Sequence, residues 1–184
     1  MKISREDAHL FFELFLLLLD FTNKRFNAFQ CDYTFMERFE KSEGIDIKNA
    51  LNVANTLWTN NHLIDEYLKQ ATLNNECREL VSSWKRHITG DFILERHLKK
   101  GSVFISTDNR RVYLVNGLFS SWEEMIQYRK PPVLLNVTLL PWKDVIISDG
   151  LVSITSMHFG NNYSSDFKEI YLHAKRSGNI IKSL

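Results

Sequence analysis

Glu95, His97 and Lys99 stand at alternate positions, a spacing that aligns the three side chains if the run is a strand. A histidine between a carboxylate and an ammonium has the parts of a proton shuttle. The same three residues also suit the solvated outer face of an antiparallel strand, which is the commoner arrangement. Arg96 falls in register with the apolar set Phe92, Leu94 and Leu98. A guanidinium there must meet a carboxylate, reach water at a sheet edge, or hold an anionic ligand, because an unpaired buried charge is prohibitive.

The second constellation is basic. Lys85, Arg86, Arg96, Lys99, Lys100, Arg110 and Arg111 fall in one stretch whose only acids are Asp91, Glu95 and Asp108. Such a segment can bind a polyanion or a small anion, and affinity for a polyanion would fall steeply with salt. The bias stays local. Residues 1–88 hold 11 basic and 13 acidic side chains, and residues 89–184 hold 12 and 9. A nucleic-acid module usually carries a stronger excess or a recognised motif, and neither is found.

Other chemistries lack their signatures. The six histidines never occur as H-x-H or H-x-x-x-H, and no Cys-His cluster exists, so no metal site is expected. No phosphate loop or dinucleotide fingerprint is present, and no cofactor is implied. Ser82 and Lys85 form an S-x-x-K spacing on a helix with no companion motif. Cys31 and Cys77 are expected to be reduced thiols packed as small hydrophobes.

The elements that must position these residues change character along the chain. Ser4 opens a helix reaching about Phe29, apolar nearly all round between Leu10 and Phe21, with Glu6, His9, Glu13, Asp20 and Lys24 on one narrow stripe. Its run Leu14–Leu19 is too short to span a bilayer. Asp46 starts a second helix, Leu63, Ile64, Tyr67 and Leu68 mark a third, and Cys77, Leu80, Val81, Trp84 and Ile88 a fourth that stops at Gly90. Strands follow at Phe92–Lys99, Val103–Thr107, Arg111–Phe119 and Val133–Leu140. Ser120 and Glu123 have the spacing of a capping box for a short helix carrying Trp122. Asp149-Gly150 reads as a hairpin turn, Ser164–Arg176 as a helix stopped by Gly178, and Ile180-Ile181 as a last strand. The fold class is therefore α+β, with a helical lobe over 1–88 and a mostly antiparallel lobe over 89–184 sharing a core.

Composition agrees with a folded, water-soluble chain: of 184 residues 44% are hydrophobic and 24% charged, and the net charge of +1 points to no class of partner. The stretches FILERHLKKGSVFI, RVYLVNGLFSSWEEM, LLPWKDVIISDGLVSI and HAKRSGNIIKSL resemble a family of small bacterial proteins with no assigned activity, over residues 84–184. That resemblance implies a cytoplasmic protein of bacterial or mobile-element origin and assigns no site residue. The favoured expectation is a non-enzymatic cytoplasmic protein, with no membrane contact, that forms a homo-oligomer or meets a protein partner through its N-terminal helix. One alternative is a nucleic-acid or anion-binding accessory using segment 85–111, with Arg96, His97, Lys99, Lys100, Arg110 and Arg111 as ligand candidates. A second is an enzyme with its site near Glu95, Arg96 and His97.

Overall fold

The computed structural model describes residues 1–30, 33–126, 129–155 and 159–184, so Cys31 and His158 lie outside the described residues. The protein is α+β and divides into two compact units, one of Glu6–Lys85 and one that joins Met1–Arg5 to Arg86–Leu184.

In the helical unit, α1 (Arg5–Phe26) carries acids in its first turn and Lys24 and Arg25 in its last, matching the helix dipole. A helix not expected from the sequence, α2 (Phe35–Glu40), is held by a capping box between Thr34 and Glu37. Asp20 of α1 adds to it, its carboxylate accepting from the Phe35 and Met36 amides at 2.7 and 3.0 Å. Asp46 caps α3 (Ile47–Thr59), and α4 (His62–Gln70) and α5 (Asn75–Ser83) follow. A 3-10 turn over Trp84–Arg86 ends the helical run, so Ile88 and Gly90 belong to a strand and not to the fourth helical stripe.

Aromatic rings fill this unit. Phe15 stacks on Trp58 at 5.9 Å and Phe11 meets Trp84 edge-on at 5.5 Å. Phe12 stacks on Phe39 of α2 at 5.9 Å, and Phe21 lies 5.5 Å from Tyr67. These ring contacts bury much of the apolar surface of α1 within the helical unit. Phe11, Leu14, Phe15, Leu18 and Leu19 are buried, and of its large apolar residues Leu17 and Phe26 stay exposed at 40% and 45%.

The second unit is built on β1 (Ile88–Leu98), β2 (Gly101–Ser106), β3 (Val112–Val115), β4 (Val133–Trp142), β5 (Val145–Thr155) and β6 (Ile180–Ile181). β1 pairs antiparallel with both β2 and β4, β2 with β3, and β4 with β5. A parallel pairing of β3 with β5 at Val115 and Ile146 closes the ring β1-β2-β3-β5-β4. β6 runs parallel to β3 at Val112 and Tyr113, ahead of the point where β5 joins. The result is a small barrel with one long strand shared between its two sides.

Phe92, Phe104, Tyr113, Leu135 and Ile146 point inward. Trp122 of α6 (Trp122–Ile126) joins them, its ring 4.8 Å from Phe104. Ile93, Val103, Ile105 and Val112 point outward and are covered by α7 (Asn161–Ser177), which ends at Gly178 with φ 71°. Met1–Arg5 joins this unit through Ile3 N–H to the Gly117 carbonyl at 3.0 Å and Gly117 N–H to the Met1 carbonyl at 3.1 Å.

Three local expectations are corrected. The capping box of α6 is Ser121 with Glu124, each closing on the other's backbone amide, and not Ser120 with Glu123. Asp149-Gly150 is no hairpin turn: β5 runs through it, and the register slips between the Val137–Val152 and Leu139–Ser148 pairs, which makes it a bulge. The reversal lies at Lys143-Asp144, where Lys143 takes φ 50°. The third strand stops at Val115, short of Phe119. Among the described residues no helix is long and apolar enough to cross a membrane.

Candidate functional site

The structure separates the residues that sequence spacing had grouped. Between Leu94, opposite Phe104, and Arg96, opposite Val103, Glu95 is an extra residue without a partner on β2. One inserted residue reverses every later side chain, so Arg96 joins the outer face of Val103, and His97 joins the opposite face. Arg96 binds its neighbour Glu95 through Nε to Oε2 and through Nη2 to Oε1 at 2.7 Å. Its guanidinium also lies 4.4 Å from the centre of the Tyr171 ring on α7. Glu95 is 7% exposed at its side chain and Arg96 33%. The guanidinium thus holds a buried carboxylate and is engaged on two sides.

His97 Nδ1 lies 2.9 Å from the Ser102 hydroxyl across the β1–β2 pair. Burial lowers the affinity of this imidazole for a proton, the amino terminus lowers it further, and Glu123 acts in the other direction. Lys99 sits with Lys100 in the exposed β1–β2 turn. Glu95, His97 and Lys99 therefore do not share a face, and the proton-shuttle arrangement is lost. The basic segment is divided as well. Lys99 and Lys100 stand at one end of β2, and Arg110 and Arg111 at the other, beyond Ser106. Six residues of strand separate the pairs by roughly 20 Å.

The described residues do converge along the seam between α7 and the barrel. A cavity of about 300 Å³ has Ile93, Ile105 and Leu134 of the barrel on one wall and Phe159, Phe167 and Ile170 on the other. Ser106, Thr107, Arg110, Tyr163 and Asp166 complete it. A second hollow of about 440 Å³ lies along the same seam, lined by Arg110, Arg111, Glu169, His173 and Asn179. Arg110 borders both. The turn that carries it is firmly built: Arg110 N–H donates to the Ser106 carbonyl at 3.1 Å, Ser106 N–H to the Arg111 carbonyl at 3.0 Å, and Arg111 N–H to Asn109 Oδ1 at 3.0 Å. Arg110 adopts φ 56°, a left-handed conformation uncommon outside glycine and asparagine. Among the described residues neither the Arg110 nor the Arg111 guanidinium makes an ion pair.

Arg110 and Arg111 were legible as candidates; their partners on α7 were not. Phe167, Ile170, Tyr171 and Ala174 recur at helical spacing and signal a buried stripe, while Tyr163, Asp166, Glu169 and His173 flank that stripe at its borders. What they border depends on where the β2–β3 turn lands. Among the described residues no three His, Cys, Asp or Glu side chains come together as a metal ion requires. No protein-family model, curated protein or solved structure matches this chain.

Proposed function

We propose that the protein is a binding module rather than an enzyme, and that the groove between α7 and the outer face of β1–β3 takes a small anionic ligand through Arg110 and Arg111. One observation carries this: Arg110 projects from a hydrogen-bonded turn to the junction of two cavities, with no carboxylate paired to it among the described residues. An exposed guanidinium that makes no ion pair suits a carboxylate or phosphate, which it can bind in bidentate fashion. The barrel's order, with a helix between its third and fourth strands, also matches the small Greek-key barrels of OB type, whose β2–β3 face carries ligands. That likeness concerns topology, and the ligand class follows from the groove's own side chains.

Titration with inorganic pyrophosphate, followed by amide chemical shifts, tests the proposal. Shifts are expected in the β2–β3 turn and the α7 residues facing it, weakening as salt is raised. Arg110→Gln should abolish them, whereas Lys99→Gln with Lys100→Gln, at the far end of β2, should leave them intact. Loss of binding in the lysine variant, or no shifts in the native protein, overturns the proposal.

A further inference from the structure

The cavity bordered by Arg110 and Asp166 narrows the ligand class. It offers three kinds of surface within about 300 Å³, a volume at the small end of ligand pockets. The first is aromatic: Phe159 and Phe167 meet edge-to-face at 5.2 Å, and Tyr163 stands at the rim with 64% of its surface exposed. A large apolar ring left that open beside a cavity is available to stack on a flat ligand. The second is the carboxylate of Asp166, an exposed residue that forms no ion pair among the described residues and, when ionised, accepts hydrogen bonds without donating any. With the Ser106 and Thr107 hydroxyls and Arg110 on the same lining, this carboxylate disfavours a simple fatty chain and favours a ligand with hydroxyl donors. The third is Arg110, leading into the second hollow, where Arg111 and His173 stand with one carboxylate, Glu169.

Resting on the reading that Arg110 and Arg111 anchor an anion, we infer that the ligand is a free nucleoside phosphate. Its base lies among Phe159, Tyr163 and Phe167, its ribose hydroxyls donate to Asp166, and its phosphate meets Arg110 and Arg111. A free nucleotide is favoured over a strand of nucleic acid because α7 covers the outer face of β1, β2 and β3 and leaves a cavity of only about 300 Å³ there. The seam between helix and barrel admits a compact ligand.

Calorimetric titration of the full chain with adenosine and guanosine monophosphates, ribose 5-phosphate, pyrophosphate and decanoate tests this. A nucleoside monophosphate should bind roughly tenfold or more tightly than ribose 5-phosphate, the scale of one stacked base. Tyr163→Ala, an exposed position that does not threaten the fold, and Phe167→Leu should both reduce that advantage while pyrophosphate binding persists. Arg110→Gln should remove binding of every phosphate. Pyrophosphate binding with no preference for nucleotides overturns the nucleotide assignment and leaves the anion site standing. Preferential binding of decanoate also overturns it, and failure of all the phosphates overturns both.

Discussion

Burial around His97 sets the direction in which its imidazole responds to acid. In the unfolded chain the group titrates near 6.5, and in the folded protein burial lowers that value. Below 6.5 the unfolded state therefore takes up the proton first, and stability falls as pH falls. The contribution of neutral His97 is fully present above the unfolded value and is lost as pH drops toward the lowered folded value. Melting temperature should thus decline as pH falls through and below about 6.5, and His97→Asn, which keeps a side-chain partner for Ser102, should flatten that decline. Equal slopes for the two proteins would show that His97 titrates alike folded and unfolded. The sequence placed His97 on a strand correctly but gave it the wrong companions. Alternation is a sound guide to facing until a residue is inserted, and nothing in Leu94-Glu95-Arg96 marks the insertion. Arg96 was legible as a charge needing a partner. That the partner would be the adjacent carboxylate was not, since regular pleating would point the two apart.

At the scale of elements, helices were the more legible because their caps are local. Asp46 caps α3 by accepting from Asn49 N–H at 3.1 Å, and Gly178 ends α7 as its position suggested. The short α2 escaped notice because one of its supports, Asp20, lies 15 residues upstream of the Phe35 amide it holds. Two neighbouring serines made the cap of α6 ambiguous by one position. Ser121 accepts from the Glu124 amide at 3.2 Å, and Glu124 in turn accepts from the Ser121 amide at 2.6 Å. Ser121→Ala should therefore destabilise the protein by about 1 kcal/mol in urea denaturation, and Ser120→Ala by much less. The reverse ranking would restore the box one residue earlier. The Asp149-Gly150 pair shows the opposite difficulty. Its composition signals a turn because glycine tolerates positive φ, and Gly150 does take φ 81°. A bulge on a continuous strand demands the same freedom, so dipeptide chemistry alone could not separate the two.

For the whole molecule, the α+β class was legible in the shift from helical to alternating periodicity near residue 90, but the closed barrel was not. Closure depends on β3 meeting β5, a pairing with one registered pair, Val115 with Ile146, contributed by distant parts of the chain. The groove is a product of that closure, because the curved outer face of β1–β3 is what α7 covers. The packing of the barrel interior has an energetic consequence as well. Leu135 and Ile146, from β4 and β5, are both fully buried there. Shortening Ile146 to valine removes one buried methyl group and should cost about 0.5–1.5 kcal/mol. Neighbours in one packed cluster couple by about 0.5–3 kcal/mol, whereas independent sites add. Ile146→Val combined with Leu135→Val should therefore depart from the sum of the single losses by more than about 0.5 kcal/mol in urea denaturation. Strict additivity would show that the two side chains do not pack as one cluster, and that the barrel interior is looser than its closure by β3 and β5 implies.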